Sequence, residues 1–93
     1  MLYLIRKLFP AMLYETVQQP VDVLAVFRKG VAEPMTFKWG NRYYNVEKVH
    51  LMHTQHDGRE RIYYFSVSNE AAAYRLSFRS GSLTWMLEEI CEK

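Results

Sequence analysis

The stretch His50-Leu51-Met52-His53-Thr54-Gln55-His56-Asp57 holds all 3 histidines of the chain, with an aspartate beside them. Imidazole and carboxylate both ligate zinc, and a tetrahedral site needs three or four such groups to converge. The spacing works against convergence. On a strand His50 and His53 point to opposite faces, and only His50 and His56 share parity. A helix would align them better, but Asp57-Gly58 ends the segment too soon for a stable one. The stretch therefore reads as a polar strand end and its turn. His50 and His56 are the weak metal candidates, and no metal or other cofactor is expected.

A second chemistry is recognition of unpaired bases, which needs aromatic platforms beside cations on an open sheet face. Tyr64, Arg75 and Arg79 fall on the parity that alternation assigns to solvent, and they are the nucleic-acid-binding candidates. Lys38, Arg42, Lys48, Arg59 and Arg61 add positive charge in the same region, and Glu47, Asp57, Glu60 and Glu70 offset part of it. The bland alternative is that the arginines solvate a face while tyrosine covers its neighbours. Catalysis has less to stand on. The carboxylates lie in turns, singly on strands or in the acidic C-terminus, and there is no glycine-rich phosphate loop or serine elbow. Cys91 sits two residues from the end of the given chain, where a shaped pocket is not expected. No catalytic residue is expected, and the protein reads as not an enzyme.

The elements that must position these side chains are strands. Tyr63, Phe65 and Val67 alternate with Tyr64, Ser66 and Ser68, and Tyr74, Leu76 and Phe78 alternate with Arg75, Ser77 and Arg79. Period-two alternation of aromatic and branched residues is the signal of a half-buried strand. Val21 to Arg28 makes an earlier strand, and Lys29 to Pro34 reads as a loop. Met35, Phe37 and Trp39 lead into Gly40-Asn41, a two-residue hairpin turn. On the return, Tyr44 and Val46 hold one parity while Val49 and Leu51 hold the other, which predicts a β-bulge near Glu47-Lys48. Asp57-Gly58 marks the next hairpin. Ser82 to Lys93 fits strand or helix. Thr84, Trp85 and the acidic end favour strand. Phe37, Trp39, Phe65, Val67, Leu76, Phe78 and Trp85 are the expected core.

Residues 1–19 are different. Leu2, Ile5, Leu8 and Phe9 recur at helical spacing until Pro10 stops the run, and Met12, Leu13 and Val17 suit a second short turn. The segment reads as a cap or arm on a β-domain of residues 20–93. Leu24 and Val26 make the polar-parity face of the first strand apolar, so both surfaces call for a cover. Setting Leu2, Ile5, Leu8 and Phe9 against Leu24 and Val26, within one chain or across a homodimer, meets both needs.

Composition bounds the rest. With 93 residues there is room for one core. Hydrophobic residues make up 49% and charged ones 24%, so general disorder is not expected. A formal charge of +2 without a dense basic block is weak support for an anionic partner. The single cysteine cannot form an internal disulfide and suits a reducing cytoplasm. The apolar opening is cut off by Arg6 and Lys7, far short of the roughly 20 residues that span a bilayer. A soluble cytoplasmic protein with no membrane association is expected.

Phe37-Lys38-Trp39-Gly40-Asn41-Arg42-Tyr43-Tyr44-Asn45-Val46 resembles the opening of a small uncharacterised bacterial β-domain. Arg61 to Val67 and Tyr74 to Arg79 are similar to its middle strands, and Leu83 to Ile90 to its closing Trp-x-Leu strand. The likeness covers roughly residues 20–90, and Asn41 stands where that family often has glycine. In that family the domain stands alone or resembles a C-terminal appendage of proteins similar to Y-family DNA polymerases. The resemblance implies a β-rich accessory domain with a lean toward nucleic-acid transactions, and no catalytic residues to carry over.

The expected fold is therefore mainly β, an antiparallel, strongly curled sheet or small barrel of about six strands with a short N-terminal helical segment. The expected role is a non-catalytic interaction module, binding a protein partner or itself. Single-stranded nucleic-acid binding is the alternative.

Overall fold

A computed structural model describes residues 13–92. They form β1 (Leu13–Arg28), β2 (Val31–Trp39), β3 (Arg42–Asn45), β4 (Lys48–Asp57), β5 (Glu60–Ser68), β6 (Ala72–Arg79) and β7 (Thr84–Glu92). All seven belong to one antiparallel sheet in the order β3-β2-β1-β7-β6-β5-β4.

That order forces the sheet to curl. Edge strands β3 and β4 are consecutive in the chain, yet six strand spacings separate them. A flat sheet would hold them about 29 Å apart. The three peptide steps from Asn45 to Lys48 reach at most about 11 Å. The edges therefore meet at that corner, where Val46 N–H donates to the Met35 carbonyl and Glu47 N–H to that of Ser68, both at 2.9 Å. Elsewhere no ladder joins the two edges, so the sheet is curled but not closed, in place of a barrel.

The concave side holds the core. Phe37, Phe65, Val67, Leu76, Phe78 and Trp85 are buried together as expected, and Trp39 packs partly buried against them. Val21, Tyr74, Leu87 and Ile90 complete the cluster. Trp85 lies 4.9 Å from Phe78 and 5.5 Å from Phe65 between ring centroids, and Tyr74 meets Phe37 edge-on at 5.1 Å. Each such side chain removed from water contributes about 1.5–3 kcal/mol, which a thin single-sheet core depends on.

Four expectations change. The segment around Leu13 and Val17 is strand, not helix, and the described residues contain no helix. Leu13 to Thr16 pair with Glu92 to Glu89 of β7, and cross-strand hydrogen bonds outweigh a weak helical pattern rich in branched and aromatic residues. The loop before Met35 shrinks to Lys29-Gly30, whose φ values of 52° and 78° suit a two-residue hairpin with both centres left-handed. Pro34 consequently lies within β2. The expected return strand is two strands, broken at Val46-Glu47, and its bulge falls between Val49 and Leu51. Val49 opposes Val67 on the core side, while Leu51 opposes Ser66 on the other. Finally, Ser66, Ser68 and Ser77 are buried rather than solvent-facing.

Candidate interaction surface

Directly opposed residues of antiparallel strands share a face, so the register defines the convex side of the sheet. His53, Tyr64, Ser77 and Met86 form one row across β4, β5, β6 and β7. Leu51, Ser66, Arg75 and Glu89 form the next. Tyr64 and Arg75 are therefore brought together, as the alternation implied. The Arg75 guanidinium lies 4.6 Å from the Tyr64 ring centroid, and His53 stacks on the same tyrosine at 5.2 Å.

The charge is spoken for. Arg75 Nη1 donates to Glu89 Oε1 at 2.9 Å, and both side chains are mostly buried. Arg79 donates to Glu60 Oε2 at 2.9 Å and to Asp57 Oδ2 at 3.5 Å. Glu60 also accepts from the Gly81 and Ser82 backbone N–H groups at 3.1 and 3.3 Å, so it anchors the β6–β7 turn. Among the described residues Ser66 Oγ and Arg75 Nε, on facing positions, are buried without a hydrogen-bond partner. Sequence spacing could not reveal these pairs, because Glu89 and Glu60 reach the arginines only through strand register.

The histidines disperse. His50, at the bulge, lies 2.7 Å from Ser68 Oγ, His53 stacks on Tyr64, and His56 opposes Arg61. Among the described residues no group of three His, Cys, Asp or Glu side chains is arranged to hold a metal. Burial lowers the His53 pKa from its ordinary 6.5, and the Arg75 charge adds to the effect.

The feature that sequence reading missed is an apolar edge. β4 ends the strand order, so one of its sides has no neighbouring strand among the described residues. Along it Val49, Leu51 and Met52 are exposed at 47%, 38% and 46%. β3 pairs only with Thr36–Trp39 and Val46 N–H takes the Met35 carbonyl, so Val31–Pro34 of β2 have no neighbouring strand on that side among the described residues. Between these two edges lies a groove of about 450 Å³, lined by Val31, Pro34, Met35, Val49 and Met52 over Phe65. Pro34 has no N–H to offer a docking strand, and β3 is only 4 residues long. β4 has 10 residues and no proline. Its signal was present as the run Val49 to Met52, but the bulge hid which sides those residues take.

Leu24 is exposed and Val26 half-buried on the convex side of β1. Leu2, Ile5, Leu8 and Phe9, their expected cover, lie outside the described residues. No described helix is long and apolar enough to cross a membrane. Comparison with known proteins finds no matching family model, no matching curated protein and no matching solved structure.

Proposed function

We propose that this protein is a non-catalytic interaction module that self-associates through the open edge of β4. The observation that carries the reading is the ten-residue edge strand with its exposed Val49, Leu51 and Met52. Edge strands of that length and polarity template further pairing unless charge, proline or a cover blocks them. Here the only blocking charges sit at the two ends, Lys48 and Asp57. Antiparallel pairing of two copies brings the Lys48 end of one beside the Asp57 end of the other, which favours a second copy as occupant. A second β4 also sets its own Val49 and Met52 over the groove.

Sedimentation velocity over a range of concentrations tests this. The wild-type chain is expected to sediment as a dimer. Met52→Lys, at an exposed position, is expected to weaken association at least tenfold, about 1.4 kcal/mol, with unchanged circular dichroism. A wild type that stays monomeric at high concentration overturns the reading.

Single-stranded nucleic-acid binding through Tyr64, Arg75 and Arg79 stands second. The Arg75–Tyr64 stack favours it. The pairing of both arginines with carboxylates weighs against it. Absence of binding to mixed oligonucleotides at low salt removes it.

A further inference from the structure

β1 runs on past the end of β7. Val21 opposite Trp85 is the last pair between them, and residues 22–28 pair with β2 alone. On the side that β7 would extend, this half of β1 has no neighbouring strand among the described residues. A cleft of about 560 Å³ opens there, lined by Val21, Val23 and Phe27 of β1 and by Phe78, Leu83 and Trp85 of the β6–β7 hairpin. That volume is within the range of small-molecule sites.

Two large apolar side chains of the cleft are left in water. Phe27 is 61% exposed although its ring meets Phe78 at 5.7 Å between centroids, and Leu83 is 73% exposed. Leu83 also holds φ at 57°, a left-handed backbone that glycine or asparagine adopts more readily than leucine. Strain of this kind, at a residue whose side chain the fold leaves uncovered, points to a role outside the core.

Shape narrows the occupant. From Pro20 to Phe27 the lining follows about 23 Å of extended strand, and it meets only Leu83, Thr84 and Trp85 of the segment that leads into β7. An elongated apolar lining fits one flexible hydrocarbon chain better than a compact ring system. Charge sets the direction of that chain. Asp22 is the only charged residue of the lining and lies toward one end. At the other end Phe27 is followed by Arg28 and Lys29, which are exposed and form no ion pair among the described residues. A second cavity of about 170 Å³ shares Phe27 and Phe78 and reaches Gly30, beside Lys29. An anionic head is favoured toward that end, where a cationic one would meet two like charges.

We infer that the cleft binds a medium-chain fatty acid, with its hydrocarbon chain against Phe27, Phe78, Leu83 and Trp85 and its carboxylate at Arg28 and Lys29. The chain covers Phe27 and Leu83, and the carboxylate gives the two cations of the turn a partner. The cleft shares no lining residue with the groove beside β4, so the inference stands apart from the proposed self-association.

Decanoate titrated at sub-millimolar concentration into the isotope-labelled full chain, followed by amide and indole NMR, is the test. Saturable shifts are expected at Phe27, Leu83 and the Trp85 indole. Affinity should rise roughly fourfold per added methylene from hexanoate to decanoate, as each methylene leaves water. Decanol, with the same chain and no charge, is expected to bind about tenfold more weakly, the loss of one charge-assisted contact. Arg28→Gln with Lys29→Gln should remove that preference in a chain whose spectrum is otherwise unchanged, and Phe27→Asp should abolish binding of both ligands. Equal affinity of the wild type for decanoate and decanol overturns the inference, and that comparison needs no variant. A preference that survives the double variant overturns it too. So do shifts that centre on Val49 and Met52, or the absence of saturable shifts at Phe27 and Leu83.

Discussion

Arg75 joins three interactions: its guanidinium stacks on Tyr64, bonds Glu89, and sits among buried serines of the convex side. A buried ion pair adds little net stability, but breaking it from one side strands a charge. Arg75→Leu is expected to cost about 3–5 kcal/mol in urea unfolding, and the double variant Arg75→Leu with Glu89→Leu to recover most of that. A single variant no less stable than the double would show that Glu89 is not stranded. His53, on the same tyrosine, is held below its ordinary pKa of 6.5, so the folded state prefers the neutral ring. Its contribution is complete above pH 6.5 and is lost as pH falls below that value. The thermal midpoint should therefore drop between about pH 7.5 and about pH 5.5, and His53→Gln should drop less over the same interval. At this scale the sequence was legible for what alternates. Tyr64 and Arg75 were expected on one face and are there, whereas the carboxylates that neutralise the arginines come from registers that no local pattern encodes.

At the scale of elements, turns were the clearest text. Gly40 and Gly58 sit at φ values of 62° and 63° in two-residue hairpins: the first is the expected Gly40-Asn41, whereas Asp57 pairs with Glu60, so the second turns on Gly58-Arg59, one residue later than Asp57-Gly58 implied. Gly58→Ala has room for its methyl group but not a comfortable backbone, and should lower stability by about 1–2 kcal/mol in thermal unfolding. A neutral effect would mean that the hairpin adopts another turn. Interruptions were harder to read. The break at Val46-Glu47 and the bulge at His50 turned one expected strand into two, and Gln18 with its positive φ lies in another irregularity on β1. Such slips depend on how neighbouring strands meet, so parity alone located the disturbance only within a few residues. β1 escaped notice before Val21 because its first half pairs only with β7, the last strand of the chain.

For the whole molecule, a curl with one open side sets the stability and leaves the edge on which the proposed self-association rests. The core is one face of one sheet, so few side chains carry it. Phe65→Ala is expected to cost about 3–5 kcal/mol, and a neutral result would reverse the inside and outside of the sheet. Which residues form that core was legible from alternation, as six of the seven expected members are buried and Trp39 packs at its edge. That the sheet stays open was not, because closure depends on whether β2 and β4 meet, and residue types do not record that distance. Among the described residues the opening leaves one side of β4 without a neighbouring strand, the basis of the proposed self-association. Amide hydrogen exchange along β4, followed at rising protein concentration, reads that side directly. The amides of β4 that face away from β5 should become protected as concentration rises, in step with the dimer fraction. If they exchange at unstructured rates at every concentration while β5 and β6 stay protected, β4 is an unused edge and the proposed interface is wrong.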